Sequence, residues 1–283
     1  MADNCLYVVA TPIGNLEDMT ARALRILSEV DIIAAEDTRH SRGLLSHFGI
    51  KTPMVSCHKF NEESRSGSVV AALQAGKSVA LVSDAGTPCI SDPGYKLVQA
   101  VAAAGFPVVA VCGASAVVAA VSISGFDVSH FSFIGFLPRA KADILKSLEQ
   151  VLPGTVVFYE SPKRVQAALT VIAAAFPTAT ACLCNDLTKK FERAYRGNLV
   201  EILQALEENH NAKKGEYACV LHVSDMPKPT QDATQLSIEA ELVDIIVKNG
   251  GSLKDAATIL KQTHTTLGKK EIYAATLNLK KLF

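Results

Sequence analysis

Tryptophan is absent from the 283 residues, and aromatic side chains make up only 6% of them. A core without large rings must be filled by small and branched residues. The chain is 49% hydrophobic, much of it Ala and Val, which suits helices laid closely on a sheet and excludes a disordered chain. Net charge is missing too: 28 basic residues balance 28 acidic ones. No overall field gathers a polyanion, so a nucleic-acid partner must be met by a local patch. The seven cysteines contain no Cys-x-x-Cys pair, and Cys5, Cys112, Cys182, Cys184 and Cys219 lie in apolar, strand-like runs. We read them as small core hydrophobes in a reducing compartment and expect neither a disulfide nor a metal site. The opening MADNCLYVV lacks the basic flank and long apolar core of a secretory signal. Residues 97–126 carry no charge, but Gly105-Phe106-Pro107 and Cys112-Gly113 interrupt them, so they cannot form one spanning helix. The expectation is a cytoplasmic protein with no membrane partner. No GxGxxG, phosphate-loop, Ser-His-Asp or metal-ligand pattern is complete, and there is no internal repeat.

What the chain does have is centred on VALVSDAGTPCISDPGY, residues 79–95. Val79, Ala80, Leu81 and Val82 have the pattern of a strand buried on both faces. The run then breaks into Ser83-Asp84-Ala85-Gly86-Thr87-Pro88, and a helical stretch restarts at Tyr95. Small-residue loops beyond the ends of buried parallel strands are where open α/β sheets bind ligands. Ala85 and Gly86 admit a ligand to the backbone, and Asp84 offers an acceptor-only carboxylate. The same residues would also serve a tight capped turn; two Asp-bearing loops in succession, SDAGTP and SDPG, favour a ligand site.

Strand patterns at 6–10, 31–35, 53–57, 79–82 and 108–111 alternate with helical patterns over the first 125 or so residues. That alternation predicts an α/β fold with a parallel sheet covered on both faces. A second α/β block starts at His130, with strands at 131–138, 155–159, 179–185, 192–196 and 217–223 and a mixed sheet. The expected division is an N-terminal α/β domain over 1–126 and a second over 127–226. A linker at 227–235, polar and carrying two prolines, then leads to a small helical domain over 236–283. Residues 246–283 hold seven lysines against Asp255 and Glu271, a basic surface that would suit RNA or simply keep the helices soluble.

Five strand ends carry loops rich in Gly, Pro, Ser or Asp, at 11–15, 83–88, 112–116, 159–164 and 185–189. Lining one cleft, they would suit an elongated cofactor with a nucleoside and a polar tail. Residue chemistry alone stops there. The segments VATPIGNLEDMT (9–20), AAEDTR (34–39), SCHKFNE (56–62), VSDAGTPCISDPG (82–94), CGASA (112–116), GFLPR (135–139), FYESPKR (158–164), NDLTKKFE (185–192) and KGEY (214–217) carry the chain further. In that order they resemble the tetrapyrrole methylase superfamily and, within it, the ribosomal RNA small subunit methyltransferase I branch. The resemblance spans residues 6–223, and the helices beyond resemble the small domain many members carry. One departure is Cys112, where members commonly have Pro before Gly113.

The resemblance implies two α/β domains of tetrapyrrole methylase type in a homodimer, with S-adenosylmethionine in the cleft between them. It implies methyl transfer to the 2′-hydroxyl of a cytidine in the decoding region of small-subunit (16S) ribosomal RNA, with the assembled 30S subunit as the expected partner. Carried over by motif, the cofactor site comprises Pro12, Asp84, Gly86, Thr87, Ile90 and Ser115, with Ala116, Tyr159, Glu160, Leu187 and Glu216. Glu36, Asp37 and His58 end strands beside the cofactor loops and are the candidates for taking the hydroxyl proton. Arg39, Lys59, Arg139, Lys163 and Arg164 are the candidate RNA contacts, although an Asp37–Arg39 pair would equally suit a local salt bridge. The competing readings are a superfamily relative acting on a tetrapyrrole or other small molecule, and a non-catalytic RNA-binding module.

Overall fold

Short apolar runs bounded by Pro, Gly and Asp build the first sheet: β1 (Leu6–Val9), β2 (Ile32–Ala35), β3 (Met54–Ser56), β4 (Val79–Val82) and β5 (Val108–Val111). The computed structural model describes residues 4–224, 238–263 and 269–280; the expected linker at 227–235 lies outside them. The chain divides into two units, Met1–Met226 and Pro227–Phe283. In the first, the strand order is β3-β2-β4-β1-β5, and every pairing is parallel.

Strand alternation sends side chains to two faces. Tyr7, Val9, Ile33, Ala80 and Val82 pack against Ala23, Ile26 and Leu27 of α1 (Ala21–Glu29) and Leu45 of α2 (Thr38–His47). Leu6, Ala34, Val79 and Leu81 pack on Val69 and Leu73 of α3 (Glu62–Gln74) and Leu97 and Val101 of α4 (Tyr95–Ala103). All four β4 residues are buried, as a central parallel strand requires.

The second sheet contains β6 (Phe131–Phe136), β7 (Gly154–Glu160), β8 (Thr180–Asn185), β9 (Arg193–Asn198) and β10 (Tyr217–Val223), ordered β6-β7-β10-β8-β9. Only β6–β7 is parallel, so the sheet is mixed, as expected. One face carries α6 (Lys141–Glu149), α7 (Val165–Ala175) and α8 (Leu199–Glu208), packed on Phe158, Leu183 and Leu221. A capping box starts α8: Glu201 N donates to Asn198 Oδ1 at 2.9 Å, and Asn198 N donates back to Glu201 Oε2 at 3.2 Å. The other face is covered by α5 (Ala116–Ser124), whose Val117, Ala120 and Val121 meet Val157, Cys182, Cys184 and Val220. That helix follows β5 in the chain but packs on the second sheet.

In the second unit, α9 (Ile238–Asn249), α10 (Leu253–Thr263) and α11 (Lys269–Leu279) bury Leu242, Ala256, Leu260, Ile272, Ala275 and Leu279 together. No helix among the described residues is long and apolar enough to cross a membrane.

Candidate active site

Because the first sheet is parallel, all five of its strands end at one edge, and the loops there are tied into a single surface. Thr11 N donates to Gly86 O at 2.9 Å and Gly86 N to Thr11 O at 3.0 Å, which joins the first two loops. Thr87 Oγ1 donates to Ala114 O at 3.0 Å and joins the third. Gly86 sits at φ +78°, the left-handed region that favours glycine, and a Cβ there would stand 3.1 Å from Ile13 Cγ2. The second sheet brings its own end to this edge: Glu160 and Tyr159 on β7 pair with Tyr217 and Ala218 on β10.

Between these surfaces lies a cavity of about 380 Å³. Each of the five loops singled out in the sequence contributes to its wall, through Ile13, Gly86, Ser115, Tyr159 and Leu187 among others. Of the expected cofactor residues, Gly86, Thr87, Ile90, Ser115 and Ala116 line it from one side. Tyr159, Glu160, Leu187 and Glu216 line it from the other. Pro12 and Asp84 stand next to lining residues but outside the wall itself.

The lining is chemically divided. Ile13, Ile90, Leu187 and the rings of Phe136 and Tyr159 make an apolar part, the two rings meeting edge to face at 5.5 Å. Burial pushes the Tyr159 phenol up to about 12, against the lowering effect of the Val117 backbone hydrogen bond. Ser115 starts α5 at the cavity without a side-chain cap; Val117 N–H, in the first turn, meets the Tyr159 hydroxyl, and the helix turns the positive end of its dipole to the cavity.

Glu160 is 2% exposed. Its Oε1 accepts from Ser161 N at 2.6 Å. Oε2 lies 3.1 Å from Arg164 Nη2 but out of line for a hydrogen bond, leaving an enclosed acceptor at the cavity wall. The Arg164 guanidinium instead donates to Leu137 O at 3.1 Å and Pro138 O at 2.5 Å. Arg164 therefore clamps the ends of β6 and β7, whereas Arg139 and Lys163 are exposed. Opposite, Lys189 Nζ bridges Asp186 Oδ1 and Glu216 Oε2, each at 2.9 Å.

A cluster of carboxylates lies around the end of β4, and of it only Asp92 lines the cavity; Glu36, Asp37 and His58 do not. Asp37 N donates to Asp84 Oδ1 at 3.1 Å, hooking the end of β2 to the end of β4. Burial, reinforced by the charges of Asp92, Asp84 and Asp37, raises the pKa of Glu36 above its ordinary 4.5. Asp37 moves the other way: the Arg39 guanidinium and Arg39 N–H hold its carboxyl well below the usual carboxylate range. It also starts α2 as the N-cap, with Arg39 Nη2 at 2.7 Å from Oδ2 and Arg39 N at 2.8 Å from Oδ1. The local salt bridge is thus formed, and Asp37 is the weaker proton acceptor of the two. His58 Nδ1 is enclosed and has no hydrogen-bond partner among the described residues.

Sequence reasoning did not single out Asp92, which lines the cavity and whose pKa burial raises. The repeated Ser-Asp-x-Gly of SDAG and SDPG was the signal that could have found it. Glu62 was also passed over: buried on α3, its Oε1 accepts from Gly94 N at 2.9 Å and Lys96 N at 2.8 Å. It caps α4 and so fixes the loop that carries Ile90 and Asp92.

Gly86→Val tests the tie between the loops. The β-branched side chain is strained at φ +78° and presses on Ile13, a cavity wall. We expect cofactor affinity to fall about ten- to a hundredfold by calorimetry, a loss of roughly 1–3 kcal/mol. Unchanged affinity would show that the Gly86 conformation does not shape the cavity.

Comparison with known proteins agrees with this architecture. The family Tetrapyrrole (Corrin/Porphyrin) Methylases matches residues 5–203. The chain is 43% identical over 249 residues to "Ribosomal RNA small subunit methyltransferase I" of Pseudomonas aeruginosa, covering 87% of this chain and 86% of that one. It is 40% identical over 273 residues to the protein of the same name from Halalkalibacterium halodurans, covering 95% and 93%. Among solved structures, uroporphyrin-III C-methyltransferase from Thermus thermophilus, complexed with S-adenosyl homocysteine, has a TM-score of 0.52 at 18% identity. That match covers 77% of this chain and 96% of that one. Diphthine synthase has a TM-score of 0.58 at 14% identity, covering 77% and 90%. The parallel sheet, the mixed sheet and the cavity walled by the loops of both are therefore those of a tetrapyrrole methylase, and the chain belongs to that family and, within it, to the ribosomal RNA small subunit methyltransferase I family.

Proposed function

We propose that this protein transfers a methyl group from S-adenosylmethionine to the 2′-hydroxyl of a cytidine in the decoding region of small-subunit ribosomal RNA. The observation that carries the reading is the cavity to which all five strand-end loops contribute, in a chain about 40% identical over most of its length to proteins named for that RNA. The residues present fit the cofactor. Ile13, Ile90, Leu187, Phe136 and Tyr159 suit a purine, and the start of α5, with the positive end of its dipole, suits a carboxylate. Asp92 is the acidic group of the wall with no ion pair among the described residues and so suits an ammonium; Glu160 faces Arg164 and Glu216 pairs with Lys189.

When bound, the cofactor supplies an already electrophilic methyl, so the protein's main task is to hold the ribose oxygen in line with it and exclude water. Glu36 accepts the proton that the hydroxyl gives up: of the adjacent pair at the end of β2, burial raises Glu36 while Arg39 holds Asp37 low. Asp37 holds Arg39 in place. Arg39, Lys59, Arg139 and Lys163 meet phosphates at the rim, and Arg164 acts through Glu160. We take the acting form to be a homodimer of two-domain subunits (1–126 and 127–226) working in the cytoplasm on the assembled 30S subunit. Exposed Val118 and Ile123 on α5 suit a contact between copies.

The test is transfer of tritiated methyl from S-adenosylmethionine to purified small subunits, to protein-free ribosomal RNA and to a uroporphyrinogen, using the intact enzyme and Asp84→Ala. We expect label at a ribose of subunit RNA, lost in the variant, which removes the acceptor that hooks β2 to β4. Label in the tetrapyrrole alone would establish the small-molecule reading. Cofactor affinity without transfer to any acceptor would contradict both.

A further inference from the structure

Phe60 is 93% exposed, in a chain that has few aromatic residues. Singly exposed apolar side chains are common on protein surfaces, and Phe191 is exposed too, so exposure alone assigns the ring no role. This one is presented by a firmly built turn at the end of β3. Asn61 N donates to His58 O at 3.0 Å, and His58 N donates to Asn61 Oδ1 at 2.8 Å. Asn61 Nδ2 and Arg65 Nε both donate to Ser56 O, at 3.3 and 2.8 Å, and fasten the turn to the strand and to α3. The His58 ring meets Phe60 in an edge geometry, with centroids 6.2 Å apart, and Phe60 stays almost fully exposed beside it.

The location matters as much as the exposure. Ala35 pairs with Ser56 on one side and Val82 on the other. Glu36, His58 and Asp84 therefore leave the sheet at the same edge, and Phe60 stands just beyond them. The side chain of Arg39 is 88% exposed, and Lys59 is exposed next to Phe60. An exposed ring beside cations, at the edge where the reaction is placed, has the chemistry of a single-stranded RNA contact: bases stack on the ring while phosphates meet the cations.

The geometry points to Phe60 as a stacking platform for an unpaired nucleobase of the RNA, next to the nucleotide whose ribose is methylated. This rests on the RNA reading given above and adds what holds the substrate strand. A nucleotide whose 2′-hydroxyl must reach a cavity has to be drawn out of a helix, and the ring offers a face to a base exposed in that process.

The test uses Phe60→Ala and Phe60→Trp. The native chain has no tryptophan, so Phe60→Trp places a single tryptophan, excited selectively over the six tyrosines, at the proposed contact. We expect Phe60→Ala to raise KM for purified small subunits about ten- to a hundredfold, with S-adenosylmethionine affinity unchanged. Phe60→Trp should keep most of the activity, and its fluorescence should be quenched when small subunits or a cytidine-rich single-stranded oligoribonucleotide are added. Wild-type enzyme that labels RNA while Phe60→Ala shows the same KM would overturn the stacking role alone. Loss of the dimer in Phe60→Ala, seen by sedimentation, would overturn it in favour of a contact between copies. Wild-type enzyme that labels no RNA would overturn the RNA reading and this inference with it.

Discussion

Glu36→Gln is expected to lower kcat for methyl transfer about a hundred- to ten-thousandfold while leaving S-adenosylmethionine affinity within about twofold, the range found when a positioned proton acceptor is removed. Glu36 ends β2, partly buried, and the neighbouring Asp92, Asp84 and Asp37 charges disfavour its ionised form. In the wild type, the acid limb of the pH–rate profile should therefore fall above 4.5, the ordinary glutamate value, and it should vanish in the variant. Stability gives a second readout of opposite sign. A carboxyl whose folded pKa is raised contributes stability below its unfolded pKa and loses it as pH rises through the folded pKa. At pH 7 the charged Glu36 is a liability, so Glu36→Gln should melt at or above the wild-type temperature while being nearly inactive. Asp37→Asn serves as the contrast. Its carboxyl is held low by Arg39 and stays ionised, so its loss should leave the acid limb in place. If Glu36→Gln turned over at the wild-type rate, the proton would have to go elsewhere.

Arg164→Ala is expected to destabilise the protein by about 3–5 kcal/mol, because it leaves a fully enclosed carboxylate without its countercharge. The Glu160 side chain has no exposure, and Arg164 is the cation beside it at 3.1 Å. The same guanidinium also supplies donors to Leu137 O and Pro138 O, so its removal loosens the loop after β6 from the start of α7. Urea denaturation followed by circular dichroism measures the loss. Adding Glu160→Gln to Arg164→Ala should recover a large part of it, since a neutral amide no longer needs a cation; that coupling separates charge burial from general damage. Arg139→Ala and Lys163→Ala, exposed on the neighbouring loops, should stay within about 0.5 kcal/mol of the wild type. An Arg164→Ala protein as stable as those two would sink the clamp.

Much of this molecule could be read from the order of its residues. The strands β1 to β5 were visible because a buried parallel strand needs a short apolar run with a small-residue stop. Runs such as LYVV and VALV followed by Thr-Pro or Ser-Asp meet that need locally. The five loops were visible for the same reason: Gly, Pro, Ser and Asp fix local backbone shape whatever lies across the cleft. Nine of the residues that the motifs proposed for the cofactor line the cavity.

The remainder depended on contacts between residues far apart in the chain. Apolar periodicity shows that α5 buries a face, but not which sheet it buries it against. Its small side chains fit Val157, Cys182 and Val220 on the second sheet. Arg164 and Lys163 look alike in sequence, yet one turns inward to carbonyls 26 and 27 positions earlier, at Pro138 and Leu137. Glu36 and Asp37 are adjacent acids whose pKa values move in opposite directions, one through burial beside carboxylates and the other through Arg39. By itself, then, the sequence determined the local geometry of strands, helices and loops, because backbone preference and the apolar face are local properties. Only the tertiary structure decided which charges are buried, which are paired and which face the cavity, because desolvation and Coulomb energy depend on neighbours that the fold alone brings together.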